Sequence, residues 1–315
     1  MATFPGERRL GAGARALGLA AVLLALPDAY ALAQDQGLGA AIELVDPKVL
    51  RVCADPHNLP FSNEAGEGFE NKIAELLGRK LGRPVVYTFF PQIIGFYRNT
   101  LNAYRCDVVI GVVKGDEMVQ TTTPYYHTTY ALVFKPGHGL DGVRSLEDPR
   151  LQDKRIGVIA RTPPATLMVA DGLMERAKPY PLTVDTRVES PALSMVQDIA
   201  ADRIDAGVLW GPFAGYYARH ASKEAAATLT VVPLQEEGEH MDFRIALGVR
   251  RGDDAWKLSL DRLIQDNRAE IRAILDDYAV PVKNRAPSSS ECRGLRFHRH
   301  GSTPTAARTG CGISA

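Results

Sequence analysis

His57 is the residue of this sequence best suited to acid–base or metal chemistry, because it stands in a polar loop, DPHNLPFS, that follows an apolar run. A histidine titrates near neutral pH and is a common metal ligand. A metal site needs further His, Cys, Asp or Glu side chains at ligand spacing. None stands at that spacing, since the nearby Asp55 falls at the end of the predicted strand. We therefore interpret His57 as a polar loop residue.

Motifs for catalysis and cofactor binding are also missing from the sequence. It contains no Gly-x-Ser-x-Gly turn, no His-Glu-x-x-His motif, no phosphate loop and no Gly-x-Gly-x-x-Gly after a strand. Near the C-terminus, Cys292, His298, His300 and Cys311 fit no tight tetrahedral zinc motif. The sequence therefore predicts a protein that is not an enzyme and that carries no cofactor or metal ion.

Composition narrows the class of partner. The chain has 315 residues, of which 45% are hydrophobic, so it can bury a sizeable core. Its 37 basic and 37 acidic residues leave no net charge, and no broad basic face for nucleic acid or an anionic membrane is expected. A small molecule or a protein is the expected partner.

Residues 1–33 read as a secretory signal peptide. Arg8, Arg9 and Arg15 precede an apolar run that is too short to span a bilayer, and small residues follow with a predicted cleavage site after Ala33. No later segment reaches 18 apolar residues, so the mature chain is predicted to have no membrane span and to lie in the periplasm.

Export makes the four cysteines relevant to stability. Cys53, Cys106, Cys292 and Cys311 can pair in an oxidising compartment, and four cysteines allow three connectivities that the sequence does not rank. Cys53 and Cys106 both fall on predicted strands. Burial as small hydrophobic residues is the alternative to a disulfide.

Predicted strands and helices alternate along the middle of the chain. Strands are assigned to apolar, β-branched runs, and helices to segments in which apolar residues recur every three or four positions. The first unit has strands at 49–54, 85–90 and 106–113 and helices at 69–82 and 95–105; the second has strands at 155–160, 182–188 and 204–210 and helices at 163–177 and 190–201. A strand within 243–253 and two amphipathic helices complete the pattern. This alternation predicts parallel strands with right-handed crossovers, whose carboxyl ends bind ligands.

The two units share a local signature, Ala-x-Arg-x-Asp running into an apolar strand. We interpret its acidic residues, Asp107 and Asp205, as acceptors for backbone donors in tight helix-to-strand turns. Two similar sheets that face each other predict a cleft. The predicted fold is therefore two-lobed α/β, each lobe a mostly parallel sheet flanked by helices, with a hinge between. Lobe 1 comprises 34–135 plus 240–283, lobe 2 comprises 136–239, and 284–315 is a disordered basic tail.

Six blocks carry a family resemblance, in order: GEGFENKIAELLGRKLG, LNAYRCDVVIG, TTTPYYHTTYALVF, KRIGVIA, DRIDAGVL and FRIALGVRRGD. Over about residues 50–283 the chain resembles the type 2 periplasmic solute-binding proteins. More narrowly, RVCADPHNLPFSNEAGEGFENKIAELL, RNTLNAYRCDVVIGV and RIGVIARTPPA look like the MoxJ/XoxJ-type proteins. That resemblance implies a periplasmic, non-catalytic partner of a pyrroloquinoline-quinone-dependent methanol or alcohol dehydrogenase.

Two departures from the amino-acid binders of this fold bear on the ligand. Those proteins clamp the ligand carboxylate with an arginine placed shortly before the PYY block, and here the matching place falls near Gly115. The acidic residue that would hold the ligand ammonium at the end of the last lobe 2 strand is replaced by Trp210. A free amino acid is therefore not the expected ligand.

The cleft predicted from these strand ends is apolar and aromatic, which suits a hydrophobic ligand or a segment of a protein partner. Its predicted residues are His57, Asn58, Leu59, Pro60, Phe61, Phe90, Gln92, Val112, Val113, Tyr125, Arg161, Thr162, Pro163 and Trp210. The expected partner is a quinoprotein dehydrogenase subunit. The alternative is a transporter receptor that binds a small solute other than a free amino acid.

Overall fold

A computed structural model describes residues 44–182, 184–185, 188–224, 228–236 and 240–283, without the side chains of 221–224. The predictions for the signal peptide, for the basic tail and for Cys292 and Cys311 lie outside these residues. Within them, no helix is both long enough and apolar enough to cross a bilayer.

The strands follow the apolar runs of the sequence. They are β1 (Leu50–Ala54), β2 (His57–Asn58), β3 (Ser62–Asn63), β4 (Val85–Phe89), β5 (Val108–Val113), β6 (Gln120–Thr121), β7 (Tyr126–Phe134), β8 (Ile156–Ile159), β9 (Lys178–Tyr180), β10 (Ala206–Trp210), β11 (Thr230–Pro233) and β12 (Asp242–Val249). The helices are α1 (Phe69–Leu81), α2 (Phe96–Asn99), α3 (Pro163–Ala170), α4 (Pro191–Ala200), α5 (Gly211–Glu224), α6 (Asp254–Asp266) and α7 (Arg268–Asp277). Two 3₁₀ turns cover Pro149–Leu151 and Leu173–Arg176.

The main sheet has the order β4-β1-β5-β12-β7-β10-β8-β9, with β6 beside β12 and β11 beside β7. We call β4, β1 and β5 with β12 and the helices α1, α6 and α7 the first half, and β10, β8 and β9 with β11 and the helices α3, α4 and α5 the second half. The three outer strands of each half run parallel, and the two halves meet through the antiparallel strands β12 and β7. This arrangement confirms the α/β fold class, whereas the residue limits of the lobes remain predictions.

Helix α1 shows how the sequence sets the elements. The buried face of the helix includes Ile73, Leu76 and Leu77, as their spacing predicts. Gly82 ends the helix in the left-handed conformation at φ 65°, which costs glycine little because it has no Cβ. The helix therefore packs on the first half-sheet and ends where the chain turns into β4.

A disulfide joins Cys53 on β1 to Cys106, with their Cα atoms 5.5 Å apart. Both residues are buried, within a core cluster that also contains Val109 and Phe96. The sequence left open whether these two cysteines form a disulfide or are buried as free thiols, and the structure shows the disulfide. Cys106 lies just before β5 and not on a strand, which corrects that part of the sequence prediction.

An Arg–Asp ion pair of the same kind lies at the amino-terminal ends of the parallel strands in each half. Asp107 binds the guanidinium of Arg51 at 2.6 Å, and Asp205 binds that of Arg155 at 2.7 Å. Both carboxylates also accept a backbone N–H, from Asp46 and Arg155 respectively. They are acceptors for backbone donors as predicted, but these donors lie elsewhere in the chain and not in the helix-to-strand turns. The Arg155 hydrogen bonds lower the pKa of Asp205. In the first half, a further buried arginine reaches Asp107 at 2.8 Å.

A second buried carboxylate lies on α4 of the second half. Asp198 accepts hydrogen bonds from Lys178, Tyr180 and Arg203. Burial acts to raise the pKa of Asp198, but these three donors outweigh it and lower the pKa to about 2. The charged carboxylate is therefore the form that ties α4 to β9.

Three predicted elements differ from the structure. The helix expected over 163–177 is α-helical only at Pro163–Ala170, and a separate 3₁₀ turn covers Leu173–Arg176. The helix expected over 95–105 is helical only at Phe96–Asn99 and continues as turns. The strand expected over 182–188 is wrong: its described residues form no strand, and β9 lies earlier, at Lys178–Tyr180. In these segments the apolar spacing alone did not determine the local structure, because tertiary packing can override a local preference.

Candidate functional site

A cavity of about 640 Å³ lies between the carboxyl ends of the parallel strands of the two halves. Strands β5, β8 and β10 contribute residues from their carboxyl ends, and the segments that follow β1 and β9 contribute further residues. Its lining consists of His57, Asn58, Leu59, Asn63, Val113, Tyr130, Ile159, Thr162, Pro181, Leu182, Val184, Glu189, Ser190, Pro191, Ala192, Leu209, Trp210, Phe213, Tyr217 and Phe243. Its volume is in the range of small-molecule sites.

Part of the sequence-predicted set lines this cavity: His57, Asn58, Leu59, Val113, Thr162 and Trp210. The other predicted residues are not among the lining residues: Pro60, Phe61, Phe90, Gln92, Val112, Tyr125, Arg161 and Pro163. Phe61 is buried behind the wall, and Phe90 and Val112 pack in the core around the disulfide. Tyr125 is partly buried with its hydroxyl shielded from solvent, and that burial raises the pKa of the hydroxyl.

Hydrogen bonds to Asp55 fix the loop that carries His57. The two carboxylate oxygens of Asp55 accept the backbone N–H groups of His57 at 2.8 Å and Gln92 at 2.6 Å. Ser62 donates its hydroxyl to the Asp55 carbonyl at 2.9 Å. Asn58 in turn donates its side-chain amide to Gln92 at 3.0 Å. These bonds hold the β2–β3 hairpin rigidly at the cavity edge, and Asp55 serves as a structural acceptor there.

Aromatic rings form one wall of the cavity. Trp210 stacks on Phe61 with ring centroids 5.2 Å apart and an interplanar angle of 19°. Phe213 meets Phe61 edge-on at 5.2 Å, and Phe243 meets both Trp210 and Tyr130 edge-on at 5.9 Å. Such offset and edge-to-face pairs are the favoured geometries of aromatic contacts. The wall therefore offers a large, rigid apolar surface.

The polar groups of the cavity are few and mostly uncharged. Among the lining residues that the structure describes, only His57 and Glu189 can carry a charge. Tyr217 donates its hydroxyl to the Leu59 carbonyl at 3.1 Å and accepts one from Ser190 at 3.2 Å, and burial raises the Tyr217 pKa. None of the described lining residues is an arginine. The described lining thus offers no guanidinium for a ligand carboxylate.

No cluster of three or more metal-binding side chains occurs among the described residues. His57 in particular has its backbone, and not its ring, in the loop's hydrogen-bond network. The cavity combines an apolar wall with a polar edge of amides and hydroxyls, among them Asn58, Asn63 and Ser190.

Sequence reasoning missed several residues of the site. Tyr130 and Phe243 lie on β7 and β12, whose antiparallel register with their neighbours had not been predicted. Residues 181–192 were taken partly as a strand and not as a cavity wall. Phe213 could have been predicted from the sequence. A helix begins directly after Trp210, and residues three positions apart lie on the same side of a helix.

Glu70 lies in the first turn of α1 and is only 5% exposed. A Cβ at Gly111 would lie 1.8 Å from a Glu70 carboxylate oxygen, so glycine at 111 makes room for this acid. Burial, together with the nearby charge of Asp55, raises the Glu70 pKa well above its ordinary value. Folding therefore favours the protonated form of the Glu70 carboxyl group.

No family model matches the chain. A curated relative, Protein MoxJ of Methylorubrum extorquens, is 32% identical over 311 residues, which is 90% of this chain and 98% of the relative. Protein MoxJ of Paracoccus denitrificans is 26% identical over 86% of this chain and 95% of its own length. The solved structure of periplasmic binding protein XoxJ from Methylobacterium extorquens AM1 superposes with a TM-score of 0.63 and 37% identity, covering 75% of this chain and all of that one. Near-complete coverage by the first relative, together with the shared bilobal architecture, shows that this chain belongs to the MoxJ family of periplasmic-binding-protein-like proteins.

Proposed function

We propose that this protein is a non-catalytic periplasmic accessory of a pyrroloquinoline-quinone-dependent methanol or alcohol dehydrogenase. It holds a segment of that enzyme in the cavity between its halves and so assists binding, maturation or activation. Membership of the MoxJ family supports the association, and the periplasmic XoxJ structure supports the compartment. The observation that carries the proposal is the aromatic wall of Trp210, Phe213 and Phe243 in a cavity whose described lining residues include no arginine.

The chemistry of the lining suits a protein segment. Ring faces and edges pack against an apolar or aromatic side chain, and such anchors dominate the energetics of protein interfaces. Asn58, Asn63 and Ser190 offer amide and hydroxyl groups at the polar edge, which match the N–H and C=O groups of an extended backbone. A free amino acid would instead find no arginine among the described lining residues to bind its carboxylate.

A solute receptor for a transporter is the second candidate, with a ligand other than a free amino acid. The volume of about 640 Å³ favours it, because that space is typical of small-molecule sites. The same lining then requires a largely apolar solute with few hydrogen-bonding groups.

The test compares two leucines of similar exposure. Leu182 lines the cavity and is 50% exposed, whereas Leu258 on α6 is 53% exposed and is not a lining residue. Neither is buried, so an aspartate at either place leaves the core unchanged. Binding of each variant to a purified quinoprotein methanol dehydrogenase is measured by biolayer interferometry, and native mass spectrometry tests the purified protein for a retained small molecule.

We expect the unaltered protein to bind the dehydrogenase and Leu182→Asp to weaken that binding about tenfold, which corresponds to the loss of about one buried contact worth 1.4 kcal/mol. Leu258→Asp should bind as the unaltered protein does. No binding to the dehydrogenase, together with a retained small molecule, would replace the accessory proposal with the receptor. Equal weakening by both variants would place the contact outside the cavity.

A further inference from the structure

Two strands connect the halves in the way that hinge strands do. Strand β7 pairs with β12 through Tyr126–Thr129 and with β10 through Tyr130–Phe134, so one continuous strand serves both halves. Strands that cross between two lobes can bend and let the lobes close on a ligand. Whether they bend here depends on the other contacts between the halves, and helix α5 makes several of those.

The start of α5 is anchored in the core of the first half. Trp210, the last residue before the helix, and Phe213 in its first turn both pack on Phe61, which is 4% exposed. One turn later, Tyr217 donates its hydroxyl to the Leu59 carbonyl at 3.1 Å. The hairpin loop of the first half is therefore fixed to a helix of the second half by both apolar and polar contacts.

Another side of α5 lies against the segment that follows α7. A Cβ built on Gly215 would lie 1.8 Å from the Ala279 carbonyl oxygen, and one on Gly211 would lie 2.9 Å from Pro281 and 2.5 Å from the Thr128 hydroxyl. Glycines at 211 and 215 thus allow the helix backbone to touch the chain of the first half directly. A contact this close leaves no room for one half to slide toward the other.

The middle of α5 is tied to the end of α7. Arg219 donates to the carbonyl oxygens of Asp276 and Asp277, which belong to the last turn of that helix. A cation there satisfies carbonyls that have no partner within the helix and interacts favourably with its dipole. Tyr216 stacks on Tyr278 with centroids 6.1 Å apart and an angle of 14°, and Tyr278 donates its hydroxyl to the Glu67 carbonyl.

These contacts extend from Trp210 to Arg219, about 13 Å along the helix. They involve two separate parts of the first half, the loop at 59–61 and the end of α7. Any rotation about β7 and β12 must separate some of them and compress others. We propose that α5 fixes the two halves to each other, so that the protein behaves as one rigid body and presents its cavity already formed. This property does not depend on what the cavity binds.

The test measures the distance between the halves in the free, full-length protein. Spin labels on genetically encoded amino acids at Arg79 on α1 and Val169 on α3, both exposed, report the separation by pulsed electron paramagnetic resonance without using the cysteines. We expect one narrow distance distribution that stays unchanged when purified methanol dehydrogenase is added. Two populations in the free protein, or a shift of the mean on addition of the dehydrogenase, would overturn the proposal.

Variants of the helix test the cause. Gly215→Leu places a side chain against Ala279 and should shift and broaden the distribution, whereas Gln197→Leu, at an exposed site on α4 of the same half, should not. If Gly215→Leu does not fold, the milder pair Tyr217→Phe and Arg219→Ala removes the polar contacts and should broaden the distribution. An unchanged distribution in the double variant and in Gly215→Leu would show that α5 does not set the separation.

Discussion

Removing the disulfide should lower stability without changing the site. The bond between Cys53 and Cys106 closes a loop with a sequence separation of 53 residues. The loss of chain entropy in the unfolded state for a loop of that length corresponds to about 4 kcal/mol. The double variant Cys53→Ala with Cys106→Ala should therefore lose about 4 kcal/mol in its free energy of unfolding, a large share of the total for a domain.

The native geometry around the disulfide has other supports. Cys53 pairs with Val109 and Val52 with Val108 in the parallel ladder, and the ion pair of Arg51 with Asp107 closes the same edge. The effect should hence arise mainly in the unfolded state, which becomes more expanded when the loop is opened. Dehydrogenase binding by the variant should match that of the unaltered protein at temperatures where both are folded.

Urea unfolding followed by tryptophan fluorescence measures this prediction. We expect a lower transition midpoint and a somewhat larger dependence of the unfolding free energy on urea, because more surface is exposed on unfolding. Chemical reduction of the unaltered protein should give the same loss. A loss below about 1 kcal/mol would refute the entropy argument, since it is well under what a loop of this length requires. Loss of binding in the folded variant would refute the claim that the native geometry stands without the bond.

Two further predictions concern buried acids. Because the folded-state pKa of Glu70 is raised, the stability that its protonated form gives is complete below the unfolded pKa and is lost as pH rises toward the folded pKa. Glu70→Gln should thus be more stable than the unaltered protein at pH 8 and similar to it at pH 4. The control Glu75→Gln, on the same helix but partly exposed, should show no such change. A pH-independent difference in melting temperature for Glu70→Gln would contradict this reasoning. Asp198, whose pKa is lowered to about 2, behaves in the opposite sense: its charged form stabilises the fold above the unfolded pKa, and that contribution is lost as pH falls toward 2. Asp198→Asn should therefore cost about 2 kcal/mol at pH 7, with the cost shrinking at acid pH in urea titrations; an equal cost at pH 3 and pH 7 would show that charge is not the cause.

Much of the fold could be predicted because local patterns and packing agree. The spacing of Ile73, Leu76 and Leu77 predicted α1, and the apolar runs predicted the parallel strands of both halves. The carboxyl ends of those strands then placed His57 and Trp210 at the cavity. These parts depend on short stretches of sequence, whose periodicity reports burial directly.

The rest of the cavity depends on information that short stretches do not contain. Tyr130 and Phe243 reach the wall through the antiparallel register of β7 and β12, in which Phe243 lies opposite Thr128. A shift of one residue would turn both rings to the other face of the sheet, and sequence alone does not fix that register. The disulfide was likewise undecided among the pairings that four cysteines allow, until the distance between Cys53 and Cys106 was known.

The repeated pairing of Arg51 with Asp107 and of Arg155 with Asp205 has a consequence for how such a protein can change. Both pairs lie at the amino-terminal ends of the parallel strands, opposite the cavity. Along β5, Asp107 is about 20 Å from Val113 at the cavity end. Interactions that hold each half together are thus spatially separated from the side chains that line the cavity. Substitutions at the cavity rim can then accumulate while the ion pairs at the opposite end of the strands stay intact in both halves.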